Sequence, residues 1–299
     1  MRHAPAEDHE AHVLHDRLVS LVDELGACDS AIRARQAGAV HRMRVTLRRL
    51  RSLLATFGPL YDADTVGALR EDLKWVAGEL GPARDAEVVR QRLTGLAESA
   101  EERAVVARVD EQLDLTEHLG ISSSVALLDS ERYAQVVGDL TAFAADPPWS
   151  LASVAEDDVL RRRTWRDWKR LRHRADLLDE VPDDHRPQAL HEVRKAAKRL
   201  RYATEGLVPT YGGHAKRLSH RAERLQTVLG DVQDGALAQE TLRRLAAQPG
   251  WTPREVFVLG VLEERDRARV AEAEARYEES WLRITRKKNR RWLRRPGEP

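Results

Sequence analysis

Two histidines and six cationic side chains stand at helical spacing in two matching stretches of this 299-residue chain. The first set is His41, Arg44, Arg48 and Arg51; the second is His191, Arg194, Lys198 and Arg201. At about 100° per residue, each set falls within a sector roughly 80° wide. Val40, Met43, Leu47, Leu50 and Leu54 fill the adjacent sector of the first stretch, as Leu190, Val193, Ala197 and Leu200 do in the second. Each stretch therefore predicts a helix with a core face and, beside it, a cationic face about 15 Å long. Arginine forks donate paired, charge-assisted hydrogen bonds to phosphate oxygens. A protonated histidine, whose reference pKa is about 6.5, donates from either ring nitrogen. The chemistry these residues suit is capture of a linear polyanion, successive turns meeting successive phosphates. Arg49, Lys195 and Arg199 lie nearer the edge of the sector and are secondary candidates.

The two stretches are copies. Residues 40–61 read VHRMRVTLRRLRSLLATFGPLY and residues 190–211 read LHEVRKAAKRLRYATEGLVPTY. At a constant offset of 150, His41, Arg44, Arg49, Leu50, Arg51, Pro59 and Tyr61 coincide with His191, Arg194, Arg199, Leu200, Arg201, Pro209 and Tyr211, and Arg48 meets Lys198. Downstream the offset becomes 149, where Leu80-Gly81 and Asp85 meet Leu229-Gly230 and Asp234. Ordered similarity of this kind marks a tandem duplication. It divides the chain into repeat one at about 8–180 and repeat two at about 187–290, joined near Val181 to Pro187 and followed by a basic tail, 291–299.

A charge run on a helix is ordinarily a solvated face or a partner for acids on a neighbouring helix, and Asp85 and Asp234 suit that role or helix capping. Duplication favours an anion site instead. Both copies keep their cations while apolar partners drift, Leu47 becoming Ala197 and Leu54 becoming Thr204. One ligand can engage both stripes only if helices 38–57 and 188–207 lie close, with their cationic faces toward a shared cavity.

The elements that must position these stripes are helical. Strand-like alternation is nearly absent, and apolar residues recur at three and four, as in Leu14, Leu18, Leu21, Val22 and Leu25. The periodicity predicts helices at 8–36, 38–57, 64–80, 85–117, 131–145, 153–179, 188–207, 214–229, 235–247 and 253–293, the last broken. Breaks are expected at Gly58-Pro59, Gly81-Pro82, Gly120 to Ser124, Asp146 to Pro148, Val181-Pro182 and Gly212-Gly213. The fold class is all-α.

Composition excludes other readings. No apolar run approaches the roughly 20 residues that span a bilayer, and the polar N-terminus lacks a signal core. Cys28 is the single cysteine, so no internal disulfide or multi-cysteine metal site forms. A cytoplasmic location is the expectation. Net charge is only +1, but it is unevenly spread: eight acids between Glu255 and Glu279 precede eight bases and no acid between Arg283 and Arg295. That tail suits either an acidic partner or a frayed end paired with the preceding acids. In the run Arg161 to Arg174, Trp165, Trp168 and Leu171 read as a buried stripe, with arginines at a channel rim or in water; nucleic-acid binding is the competing interpretation. His3, His9, His12 and His15 lack a second set of ligands, so no metal site is expected.

The paired motif, Val/Leu-His-x-x-Arg followed by Arg/Lys-Arg-Leu-Arg and later Leu-Gly-x-x-x-Asp, resembles the CHAD family, the conserved-histidine α-helical domain. The resemblance runs from about residue 8 to about residue 290. It implies two tandem four-helix units related by a pseudo-two-fold axis around a basic central channel, binding of inorganic polyphosphate, and association with polyphosphate granules. The motif places that role on His41, Arg44, Arg48, Arg51, His191, Arg194, Lys198 and Arg201. In this family the domain is often fused to a triphosphate tunnel enzyme. Glu272-x-Glu274-x-Arg276 resembles that enzyme's signature superficially, but sits in a helical pattern and reads as helix surface. The expectation is a non-catalytic protein without a cofactor. A nucleic-acid-binding helical protein is the alternative, followed by a phosphatase or transferase acting on phosphate chains.

Overall fold

Leucines spaced three and four apart drive the first two helices together: Leu14, Leu18, Leu21 and Leu25 of one and Met43, Leu47, Leu50 and Leu54 of the other are all buried. In a computed structural model, which describes residues 9–150, 158–182 and 185–294, these are α1 (His9–Arg33) and α2 (Ala39–Phe57). There follow α3 (Ala63–Glu79), α4 (Gly81–Thr94), α5 (Ala100–Leu128), α6 (Glu131–Ala145) and α7 (Val159–Asp176). The second copy of the motif opens α8 (Arg186–Gly206), succeeded by α9 (Val208–Ala246), α10 (Pro253–Ile284) and the short α11 (Lys287–Arg290). The fold is all-α. Among the described residues the only β-type pairing is an isolated bridge between Tyr61 and Trp149.

Three apolar clusters hold the helices. The first joins α1, α2, α3 and α6 through residues such as Leu18, Leu47, Leu73 and Leu140. The second joins α7 to α10 through Trp168, Leu200, Leu225 and Ile284. The third packs α4 and α5 against the end of α9 and the start of α10, with Leu93, Val109, Leu242 and Leu262 at its centre. The core is thus not parted at the linker: α7, which precedes it, packs with the second copy, and α4 and α5 share a core with residues 242–262.

Three expected boundaries move. Helix 85–117 is two helices, because Ser99 and Glu102 form a capping box that starts α5 afresh. The break at Gly120 to Ser124 is absent: α5 runs through it, and the Ser124 hydroxyl donates to the Gly120 carbonyl at 2.7 Å. The expected helices 214–229 and 235–247 are one element. Leu229, Gly230 and Val232 are buried in helical register across the expected gap, and the interruption falls earlier, at Gly212 (φ 52°, ψ −129°), as a kink. The end of helix 253–293 does break, at Thr285-Arg286, before α11 and a 3-10 turn over Arg291–Leu293.

Leu50 is fully buried on the core face, whereas Arg48 is only half-buried beside it. Leu50→Ala is expected to cost roughly 2–5 kcal/mol through lost contacts and a residual cavity. Arg48→Ala should leave the stability of the ligand-free protein unchanged or slightly raised. Denaturant melts of the two variants compare them directly; a large loss for Arg48→Ala would show that it serves the fold.

Candidate functional site

Helices α2 and α8 pack on one another, and their cationic faces open on one cavity of about 900 Å³. From α2 it is lined by His41, Arg44, Arg48 and Arg51; from α8 by His191, Arg194, Lys198, Lys195 and Arg199. Sequence periodicity did not single out Arg70 and Lys74 of α3, which also line it, and left Arg170 and Arg174 of α7 between rim and solvent. Eleven Arg and Lys residues stand against four carboxylates, Glu71, Asp85, Glu192 and Asp234. Two of those carboxylates are engaged locally, Glu192 with Lys195 at 2.7 Å and Glu71 with Lys74 at 3.1 Å.

Three motif residues are placed differently from the sequence expectation. Arg201 does not line the cavity; it pairs with Glu223 at 2.7 Å and donates to Gln226 at 3.3 Å. The duplication supplies the reason. At the offset of 149, Glu223 stands where the first copy has Lys74, so the carboxylate that Arg201 meets has no counterpart there, and Arg51 feels Arg70 and Glu71 instead. Arg49 also lies outside the lining, bonded to Glu24 at 3.5 Å and to Glu205 of α8 at 3.1 Å. Its counterpart Arg199 touches the cavity but is held by the buried Asp167 at 2.7 Å, by the Thr56 hydroxyl at 3.3 Å and by the Ala55 carbonyl. Each of this pair reaches from its own copy into the other. Joining the copies therefore explains their repetition better than ligand contact does.

The Leu-Gly of the second copy has a geometric role. A β-carbon at Gly81 would stand 3.5 Å from Arg44 Nη1, and one at Gly230 would stand 3.2 Å from Arg194 Nη2. Gly230 thus gives Arg194 room against the following helix, whereas the distance at Gly81 is an ordinary contact; Arg44 donates nearby to the Ala77 carbonyl of α3 at 3.1 Å. The Asp of Leu-Gly-x-x-x-Asp then reaches the same cavity in both copies.

The stripes feel one another. Burial lowers the pKa of Lys198, and Arg194, Arg48 and Arg44 push it further, against Asp234, down to about 7. Arg194 is likewise lowered by burial and by Arg48, with Asp234 opposing. Arg48 and Arg44 belong to α2 while Lys198 and Arg194 belong to α8, so the two copies share one field. Burial lowers His191, which bonds to Gln233 through Nδ1; Lys195, Arg194 and Lys198 add to the depression. Burial and Arg70 lower Arg51. Such crowding is costly in an empty site and is relieved by an anion.

Other candidates resolve into packing. Trp168 is buried and stacks on Trp281 with ring centroids 6.3 Å apart, and the Arg294 guanidinium covers Trp165 at 4.7 Å. The chain end is docked rather than frayed through Arg294, since Asn289 and Leu293 are buried and Arg290 lies over Trp168; residues 295–299 fall outside the described residues. His15 bonds to the Ala144 carbonyl at 2.8 Å, and His3 lies outside the described residues. Among the described residues no group of three or more His, Cys, Asp or Glu is arranged around a metal position, and no helix is long and apolar enough to cross a membrane.

The CHAD domain family model matches residues 17–243. The chain belongs to the CHAD family. Two curated Mycobacterium tuberculosis proteins, from strains CDC 1551 and H37Rv and both described as uncharacterized, are each 31% identical to it over 265 residues. The match covers 86% of this chain and 50% of each relative, so the chain spans about half the length of the curated relatives it matches. PptA from Streptomyces chartreusis has a similar structure, with a TM-score of 0.76 and 21% identity over 91% of this chain and 98% of PptA. The CHAD domain from the plant Ricinus communis gives a TM-score of 0.70 and 24% identity over 91% of each chain. At those identities the two structures establish a shared fold.

The depressed Lys198 gives this CHAD cavity an expected pH response. Its folded pKa of about 7 lies below the ordinary lysine value of 10.5, so between these values the unfolded chain binds more protons and stability of the empty protein rises with pH. Below about 7 the full penalty of the buried charge is present. An anion binds the charged form, so at pH 8 its capture should take up a proton and its affinity should fall as pH rises from 7. Calorimetry in buffers of different ionisation enthalpy reads the proton count, and Lys198→Arg should remove most of the response. A pH-independent affinity between 7 and 9 would refute it.

Proposed function

We propose that the protein is a non-catalytic binder of inorganic polyphosphate, held in the cavity between α2 and α8, and that it serves as a scaffold or targeting module for polyphosphate granules. The observation that carries this is convergence: cationic stripes from both copies line one cavity in which Arg and Lys outnumber carboxylates eleven to four. Family membership supports the same reading. A confined site of closely spaced forks admits a bare phosphate chain and neutralises it along its length. A nucleic acid must also place sugars and bases, and binding it well requires stacking partners; the lining includes one aromatic, Tyr202.

The test is competition. Long-chain polyphosphate, single-stranded DNA and duplex DNA are titrated at equal phosphate concentration and about 0.15 M salt, near physiological ionic strength. Polyphosphate should displace both nucleic acids, with log affinity falling linearly against log salt as counterions are released. Preference for nucleic acid would replace the reading with that of a nucleic-acid-binding protein. Release of orthophosphate from long chains in the presence of Mg²⁺ or Mn²⁺ would replace it with a phosphatase or transferase.

A further inference from the structure

The cavity does not end where the duplicated stripes end. Arg170 and Arg174, at its edge, belong to α7, a helix outside both copies of the 22-residue motif. The buried residues of α7, Leu160, Thr164, Asp167, Trp168, Leu171 and Ala175, define its inward side. With about 100° per residue, Arg163, Arg166, Arg170 and Arg174 fall together on one flank of that side, in a sector roughly 80° wide. Their spacing of three, four and four residues nearly repeats the three, four and three of His41, Arg44, Arg48 and Arg51. The helix thus carries a third cationic stripe in almost the same register as the other two. Two of its members are already in the cavity, and two lie beyond it.

The charge of the stripe is offset only toward its inner end, where Arg174 acts on Glu192 and Arg170 on Asp167. Among the described residues none of its four arginines is in an ion pair, although Arg161 and Arg172 on the other flank pair with Asp158 and Asp176. Asp167, the acid within the stripe's span, is buried and committed to Arg199 and Thr56. Arg163 is lowered by burial and by its neighbours Arg166 and Arg162. Arg170 and Arg70 both act on Arg199 at the cavity edge, so the charge of α7 and that of the cavity adjoin without a gap.

We propose that Arg163 and Arg166 continue the polyanion site outward along α7, so that a phosphate chain too long for the cavity leaves it past Arg174 and Arg170 and lies along this stripe. This rests on the proposed polyphosphate binding and deepens it: the cavity holds an inner segment, and α7 gives the protein its preference for long chains. From Arg170 outward to Arg163 the added track is about 10 Å long, against about 15 Å for an inner stripe, so engaging it lengthens the chain in contact by roughly two thirds.

The experiment uses the full chain with tripolyphosphate as the short probe and polyphosphate of about a hundred units as the long one. The variant is Arg163→Gln with Arg166→Gln; Arg166 is exposed and Arg163 half-buried, and neither lines the cavity. Far-UV circular dichroism and a melt establish folding, and Arg166→Gln alone serves as the second variant. Loss of two surface charge contacts should weaken long-chain binding about tenfold and reduce its salt slope by about 1–2. Tripolyphosphate affinity should change less than twofold. Unchanged long-chain affinity overturns the proposal, as does an equal loss for both probes, which would mean that α7 only adds to the field of the cavity. Absence of tripolyphosphate and polyphosphate binding in the unsubstituted protein would instead defeat the polyphosphate reading itself.

Discussion

Replacing Arg44, Arg48, Arg194 and Lys198 together by alanine is expected to weaken polyphosphate binding by roughly a thousandfold and to abolish its preference over nucleic acid. Each of these cations is positioned where a phosphate oxygen can take a charge-assisted hydrogen bond, worth about 1.5–3 kcal/mol. Even about 1 kcal/mol from each gives the thousandfold loss. The same substitutions should not unfold the protein. Arg194 and Lys198 are pushed toward their neutral forms by burial and by Arg48, so removing these charges relieves repulsion in the empty cavity. Sites of this kind trade stability for function. Neutralising the basic residues between Arg286 and Arg295 should leave most of the binding, because none of those described lines the cavity, and Arg290 and Arg294 lie over Trp168 and Trp165 of α7. Titration of both variants with long-chain polyphosphate decides between them. If the tail variant loses binding and the stripe variant keeps it, the cavity is not the site.

The repeat made most of this site legible from sequence, because duplicated cations at i, i+3 and i+7 have no simple packing explanation. It misled where the copies have diverged. Arg201 matches Arg51 in register, yet Glu223, which holds Arg201 in an ion pair, stands at the offset position where the first copy has Lys74, so that carboxylate is missing beside Arg51, which lines the cavity. Arg70, Arg170 and Arg174 come from helices outside the motif, and only tertiary packing brings them to the same cavity. The fold class followed from periodicity alone, but helix ends depended on local chemistry. The capping box at Ser99 and Glu102 was present in the sequence as Ser-x-x-Glu and marks the start of α5. Conversely, the serines after Gly120 look like a loop, but Ser124 satisfies its hydroxyl within the helix and the helix continues.

Arg199 shows how a repeated cation can belong to the fold, and it carries the second large effect. Its side chain is 19% exposed and that of its partner Asp167 only 2%, with 2.7 Å between Arg199 Nε and the carboxylate. Thr56 of α2 donates to the same carboxylate, and Arg199 itself reaches the Ala55 carbonyl, so α2, α7 and α8 meet at this cluster. Burial pushes the Asp167 carboxyl up and the Arg199 guanidinium down, and each offsets the other's loss of hydration. Removing one partner leaves the other as an uncompensated charge. Asp167→Ala should therefore destabilise the protein by about 3–5 kcal/mol. Replacing both residues by apolar side chains of similar volume, Asp167→Leu with Arg199→Met, should recover much of that loss, since a buried pair often contributes little beyond what good apolar packing supplies. Chemical denaturation of Asp167→Leu, Arg199→Met and their double variant closes the cycle that yields the coupling between the two sites. A loss below about 1 kcal/mol for Asp167→Ala would mean that Arg199 turns its charge into the cavity instead of leaving it stranded. In that case Arg199 would rejoin Arg44, Arg48 and Arg194 as a residue facing the ligand, as its place in the repeat first suggested.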